Sequence, residues 1–103
     1  MEDGGERIET VTRARRVLVS LDVRRRRKTV STLVNRYIFG RREIVRSPEG
    51  TRRYRYPGLV HRPGVERIGQ SVLLLREKDA EDFTGFLARL GVPYRAEPVW
   101  VHA

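Results

Sequence analysis

The segment Arg16–Val23 limits most tightly the folds open to this chain. It places Val17, Val19, Leu21 and Val23 on one face and Leu18, Ser20 and Asp22 on the other. A period of two belongs to a strand, and branched valines suit a pleated surface. The region can also be threaded as a helix, with Ile8, Val11, Ala14, Leu18 and Leu21 along one stripe. A strand here leads to a mixed sheet-and-helix architecture, and a helix leads to a winged helix domain. The alternation favours the strand.

The pattern then changes to a helical one. Val30, Leu33, Val34, Tyr37 and Ile38 recur at i, i+3, i+4, i+7 and i+8, so Thr29–Gly40 is predicted to be an amphipathic helix with Gly40 as its stop. Lys28, Thr32, Asn35 and Arg36 occupy its opposite face. A hairpin follows: 43–46 outward, the turn Ser47-Pro48-Glu49-Gly50, and 51–56 back. In the return strand Arg53 and Arg55 point one way, and Arg52, Tyr54 and Tyr56 point the other. Pro57-Gly58 and Pro63-Gly64 frame a loop around Leu59, Val60 and His61. Residues 68–76 read as one central strand covered on both faces. Asp79 is placed to cap a second helix striped by Ala80, Phe83, Phe86, Leu87 and Leu90, with Gly91 ending it. The last strand, 94–101, contains Pro98, which suits an edge.

The resulting order predicts an α+β fold, a ferredoxin-like sandwich with an added basic β-hairpin. The winged helix is the alternative, since a helix ending near Gly40 and a basic hairpin with a Pro-Glu-Gly tip look like a recognition helix and wing. The expected core is Val17, Val19, Leu21, Leu33, Val34, Val72, Leu74, Phe83, Leu87 and Leu90. Residues 1–12, with Gly4-Gly5 and four acids, are expected to be a flexible acidic arm, and 13–103 a single domain.

Charge is the main functional signal. Residues 13–67 hold seventeen basic residues against four acids, a net charge of +13, whereas the last 36 residues are net −1. Twenty of the 22 bases are arginine, which stays charged at any working pH and presents a planar fork suited to phosphate oxygens. Two groups stand out. Arg24, Arg25, Arg26, Arg27 and Lys28 occupy the junction of the first strand and first helix. Arg41, Arg42, Arg46, Arg52, Arg53 and Arg55 flank the hairpin turn, with Tyr54 and Tyr56 interleaved, and Arg36 lies on the helix between the groups. Arginines among aromatic residues on a strand suit a nucleic-acid backbone with stacked bases. Neither group matches a base-reading motif, so the expected contacts are to backbone or shape.

Signals for catalysis are sparse. His61 and His102 are the only histidines, cysteine is absent, and no phosphate loop or zinc pattern occurs. No metal or cofactor is therefore expected. The acidic N-terminus is unlike a secretory signal and no apolar run is long enough to span a membrane, so the expected location is cytoplasmic.

The local order of apolar strand, Asp22, basic run and helix resembles the small ferredoxin-like CRISPR-associated proteins, which dimerise and sometimes cleave nucleic acid with a metal. The later stretch 66–72, ahead of a second helix, is loosely similar, whereas the hairpin insertion departs from that family. The resemblance implies that Asp22 would be the metal ligand, and a single acid would then need a partner's help.

The expected function is therefore a small non-enzymatic nucleic-acid binder that grips phosphates; RNA is slightly favoured over DNA, because ferredoxin-like sheets with aromatic and arginine-bearing strands are commoner among RNA binders, and a ribonucleoprotein component would fit. Two alternatives accompany it. One is a protein-interaction module or homodimer paired through the C-terminal strand near Trp100; the other is a metal-dependent nuclease using Asp22.

Overall fold

A computed structural model describes residues 13–102. The proposed acidic arm, 1–12, lies outside the described residues. The architecture is mixed α+β, with two helices, an antiparallel sheet of four strands and a second of two. In chain order the elements are β1 (Arg13–Leu21), α1 (Lys28–Phe39), β2 (Gly40–Ser47), β3 (Gly50–Pro57), a 3-10 turn (Leu59–His61), β4 (Glu66–Gly69), β5 (Val72–Leu75), α2 (Glu77–Arg89) and β6 (Tyr94–His102). The strand β1 rules out the winged-helix threading, which required a helix through Leu21.

The large sheet runs β4-β5-β1-β6. The register opposes Val17 to Leu75 and Val19 to Leu73 on one face, and Leu18 to Leu74 on the other. Among the described residues, the helices cover only the first face. Val19, Leu21, Leu73 and Leu75 are buried there beneath Val34 and Ile38 of α1 and Ala80, Phe83 and Leu87 of α2. Tyr37 joins the helices by stacking on Phe83 and Phe86, with ring centroids 5.3 and 4.4 Å apart.

Several expectations need correction. The predicted strand over 68–76 is a tight hairpin, β4–β5, turning at Gln70-Ser71. The helices lie against one face of its apolar half, so Leu73 and Leu75 are buried core and Val72 and Leu74, which were expected there, are half-buried. Leu33 is exposed, and Leu59, which reads as a loop residue, is almost fully buried. Asp79 caps nothing: α2 begins at Glu77 with Arg76 before it, and Asp79 pairs instead with Arg62 at 2.9 Å, tying the 3-10 turn to the helix. The edge position of β6 agrees with Pro98, and Gly40 ends α1 with φ +81°.

The small sheet, β2–β3, is a ribbon of two eight-residue strands. Such strands reach about 27 Å at ~3.4 Å per residue. From Arg41 to Pro57 every residue is exposed. Its anchorage is a backbone crossing at the C-terminal end of α1. Gly58 lies directly against Gly40, Phe39 and Ile38, and an added Cβ would overlap their main-chain atoms. The Gly58 amide donates to Nδ1 of His61 at 3.3 Å, which holds the crossing in place.

Candidate nucleic-acid interface

The two basic groups end up at opposite ends of α1. The helix has twelve residues, about 18 Å at ~1.5 Å per residue. Arg24, Arg25 and Arg26 form a turn ahead of it, Arg27 is the residue immediately before its first turn, and only Lys28 lies within it. No acidic residue sits in the first turn and no side chain caps it. The positive end of the helix dipole therefore meets no acid in the first turn and adds to the potential of the arginines beside it. Asp22, Arg24, Arg25, Arg26 and Pro93 line a shallow cleft of about 510 Å³.

Asp22 is committed to this turn. Its Oδ1 accepts from the Arg24 amide at 3.0 Å and from Arg24 Nε at 3.1 Å, and its Oδ2 accepts from Arg24 Nη2 at 3.0 Å. These hydrogen bonds, with the guanidinium charge, hold the carboxyl at about 2, well below its ordinary 3.8. Among the described residues no group of three or more acids and histidines is placed to hold a metal ion. Asp22 thus fixes Arg24 while Arg25, Arg26 and Arg27 remain exposed.

The ribbon has two chemically different faces, because residues directly opposed in an antiparallel pair share a face. The register pairs Arg42 with Arg55, Ile44 with Arg53, and Arg46 with Thr51. That face carries four arginines and no acid. The register also pairs Arg41 with Tyr56, Glu43 with Tyr54, and Val45 with Arg52. This second face holds both tyrosines, two arginines and a glutamate. The sequence expectation that Arg53 and Arg55 oppose Arg52, Tyr54 and Tyr56 holds. The tyrosines do not enter the core, being 40% and 42% exposed.

Contacts on the tyrosine face are local. The Tyr56 hydroxyl donates to Glu43 Oε2 at 3.0 Å, and the Arg41 guanidinium lies 4.6 Å from the Tyr56 ring centroid. The hydrogen bond to the carboxylate raises the Tyr56 pKa above its ordinary value. At the tip, Ser47 Oγ donates to the Gly50 carbonyl at 3.2 Å across the Pro48-Glu49 loop. By contrast, none of Arg42, Arg46, Arg53 and Arg55 has an ion-pair partner among the described residues.

Arg36 sits in the last turn of α1, between the two groups and beside the ribbon root. Sequence reasoning missed Phe39 and Arg67, whose guanidinium lies 5.1 Å from the Phe39 ring centroid. Phe39 also helps line a cleft of about 260 Å³ with Arg41, Arg42, Arg55 and His61. The helical stripe leaves Phe39 off the core face, and that was its available signal. Ile44, exposed at 57%, was missed because nothing in an alternating strand says that neither face will be covered.

Trp100 is 66% exposed on the edge strand β6, opposite Arg15 of β1, and not packed beneath α1. No described helix is long and apolar enough to cross a membrane. Comparison with protein families, with characterised proteins and with solved structures gives no match.

Proposed function

We propose that this protein binds nucleic acid without chemical turnover, gripping phosphates with the arginine face of the ribbon and with the turn ahead of α1. One observation carries the reading: four arginines share an exposed ribbon face that holds no acid. Like charges directly opposed, as Arg42 and Arg55 are, weaken a strand pair. A two-stranded ribbon with no core has little stability to spare. Polyanion binding removes that repulsion and supplies the missing partner surface.

The same reasoning treats the turn Arg24–Arg27 as a second phosphate grip, about 18 Å from the ribbon root along α1. The scaffold that spaces them is read as a ferredoxin-like sandwich into which the ribbon is inserted after α1. The strand order β4-β5-β1-β6, with a helix before and after the β4–β5 hairpin, supports that assignment. The preference for RNA assumed aromatic and basic strands within the main sheet. Tyr54 and Tyr56 lie on the separate ribbon, so that argument does not transfer to them.

A test is titration of the wild-type protein against labelled nucleic acids at several ionic strengths. Engagement of six to ten phosphates lowers affinity by about 10³- to 10⁵-fold between 50 and 200 mM salt. Affinity flat in salt would remove the reading.

The edge strand β6 supports a second, compatible reading, a homodimer by strand pairing. Among the described residues its outer edge is unpaired, and Trp100 stands exposed on it. Sedimentation that stays monomeric at high concentration would exclude it.

A further inference from the structure

We propose that the β2–β3 ribbon enters the major groove of duplex DNA, with Arg42, Arg46, Arg53 and Arg55 facing the base edges. This inference rests on the nucleic-acid reading above and names its ligand.

The first argument is shape. The B-form major groove is about 12 Å wide and 8.5 Å deep and admits a two-stranded β-ribbon. The ribbon has that form, and every residue from Arg41 to its tip is exposed. The arginine rows, Arg42 with Arg55, then Arg53, then Arg46, follow one another along the ribbon at about 7 Å, two residues per step. A guanidinium fork matches the O6 and N7 acceptors that guanine presents in that groove.

The second argument is polarity. Glu43, the only acid within β2 and β3, lies on the tyrosine face, where it accepts from Tyr56. Turning that face into the groove would bring a carboxylate toward phosphates. The arginine face has no such conflict. Ile44 sits at its centre, an apolar side chain able to meet a thymine methyl.

The third argument concerns competing ligands. A-form RNA has a deep, narrow major groove that side chains do not read. Single strands are held mainly by stacking on aromatic rings. The tyrosines that would stack are on the far face from Arg42, Arg46, Arg53 and Arg55, and Tyr56 already carries the Arg41 guanidinium at 4.6 Å. One ribbon face therefore does not supply both the rings and the four-arginine cluster.

The deciding experiment compares a mixed-sequence DNA duplex, the RNA duplex of the same sequence and the single strands at one ionic strength, followed by dimethyl sulfate protection on the DNA complex. Dimethyl sulfate attacks guanine N7 in the major groove and adenine N3 in the minor groove. The expected result is DNA duplex bound about tenfold or more tightly than RNA duplex, with guanine N7 protected and adenine N3 not. An Arg53→Ala/Arg55→Ala protein should lose the N7 protection while keeping a wild-type circular dichroism spectrum. Equal binding of both duplexes with N7 unprotected, or tightest binding to single strands, would overturn the groove assignment and leave the phosphate grip standing. No binding to any of them would overturn both.

Discussion

Replacing Arg42, Arg46, Arg53 and Arg55 together with alanine should flatten the salt dependence of nucleic-acid binding without unfolding the protein. Each phosphate neutralised contributes about 0.9 to the slope of log affinity against log salt on duplex DNA. At most four phosphate contacts are lost, roughly 3.6 from the slope, and each arginine that reaches a base edge instead takes about 0.9 off that figure. A fourfold rise in salt, from 50 to 200 mM, is about 0.6 in log units, so the variant should lose up to some 10²-fold less affinity than wild type across that range. The fold should tolerate the change. All four side chains are exposed, and exposed substitutions usually move stability by about 0.5 kcal/mol or less. Removing the opposed Arg42 and Arg55 charges relieves repulsion, so the thermal midpoint should hold or rise. Fluorescence anisotropy gives the slope and circular dichroism the midpoint. Arg95→Ala is the control, since Arg95 pairs with Glu97 at 3.3 Å on β6, in the other sheet. An unchanged slope in a folded quadruple variant would refute the phosphate grip assigned to this face.

Gly58→Ala should strain the ribbon crossing, because the new methyl meets the main chain of Ile38, Phe39 and Gly40. Overpacking of this kind costs about 1–3 kcal/mol, read as a thermal midpoint lowered by roughly 4–8 °C per kcal/mol; an unchanged midpoint would mean that the crossing is looser than described. Phe83→Ala should cost about 3–5 kcal/mol in denaturant unfolding, since Phe83 is fully buried between both helices and the sheet. Asp22 should titrate at about 2 in carboxyl NMR, and Arg24→Ala should return it toward 3.8. A depressed carboxyl stabilises the fold above its unfolded value, so this contribution is present above about pH 3.8 and disappears as pH falls through about 2. Wild type and Asp22→Asn should therefore differ in stability at neutral pH and converge in strong acid.

The periodic elements were legible because their side-chain spacing reports a covered face. Val17, Val19 and Leu21 alternate since one side of β1 meets the helices, and the 3.6-residue stripe of α1 gives its boundaries to within a residue or two. Residues 68–76 were misread because leucines at successive positions mask the period, and the bend at Gln70-Ser71 has no glycine-proline signal beyond Gly69. Leu59 shows the same limit from the other side: its burial depends on a 3-10 turn packing against α1, which no local pattern encodes. The basic residues were all visible in the sequence, but their grouping was not. Strand alternation separated Arg53 and Arg55 from the tyrosines, whereas placing Arg42 and Arg46 with them required the cross-strand register. The length of α1 then divided one apparently continuous basic region into two groups.

The most direct measurement is the binding of the intact protein to labelled duplex DNA, duplex RNA and single strands across 50 to 200 mM salt. Tight binding at low salt that weakens by about 10³- to 10⁵-fold over this range is the expected result. Absence of binding to every one of these ligands at low salt would contradict the account.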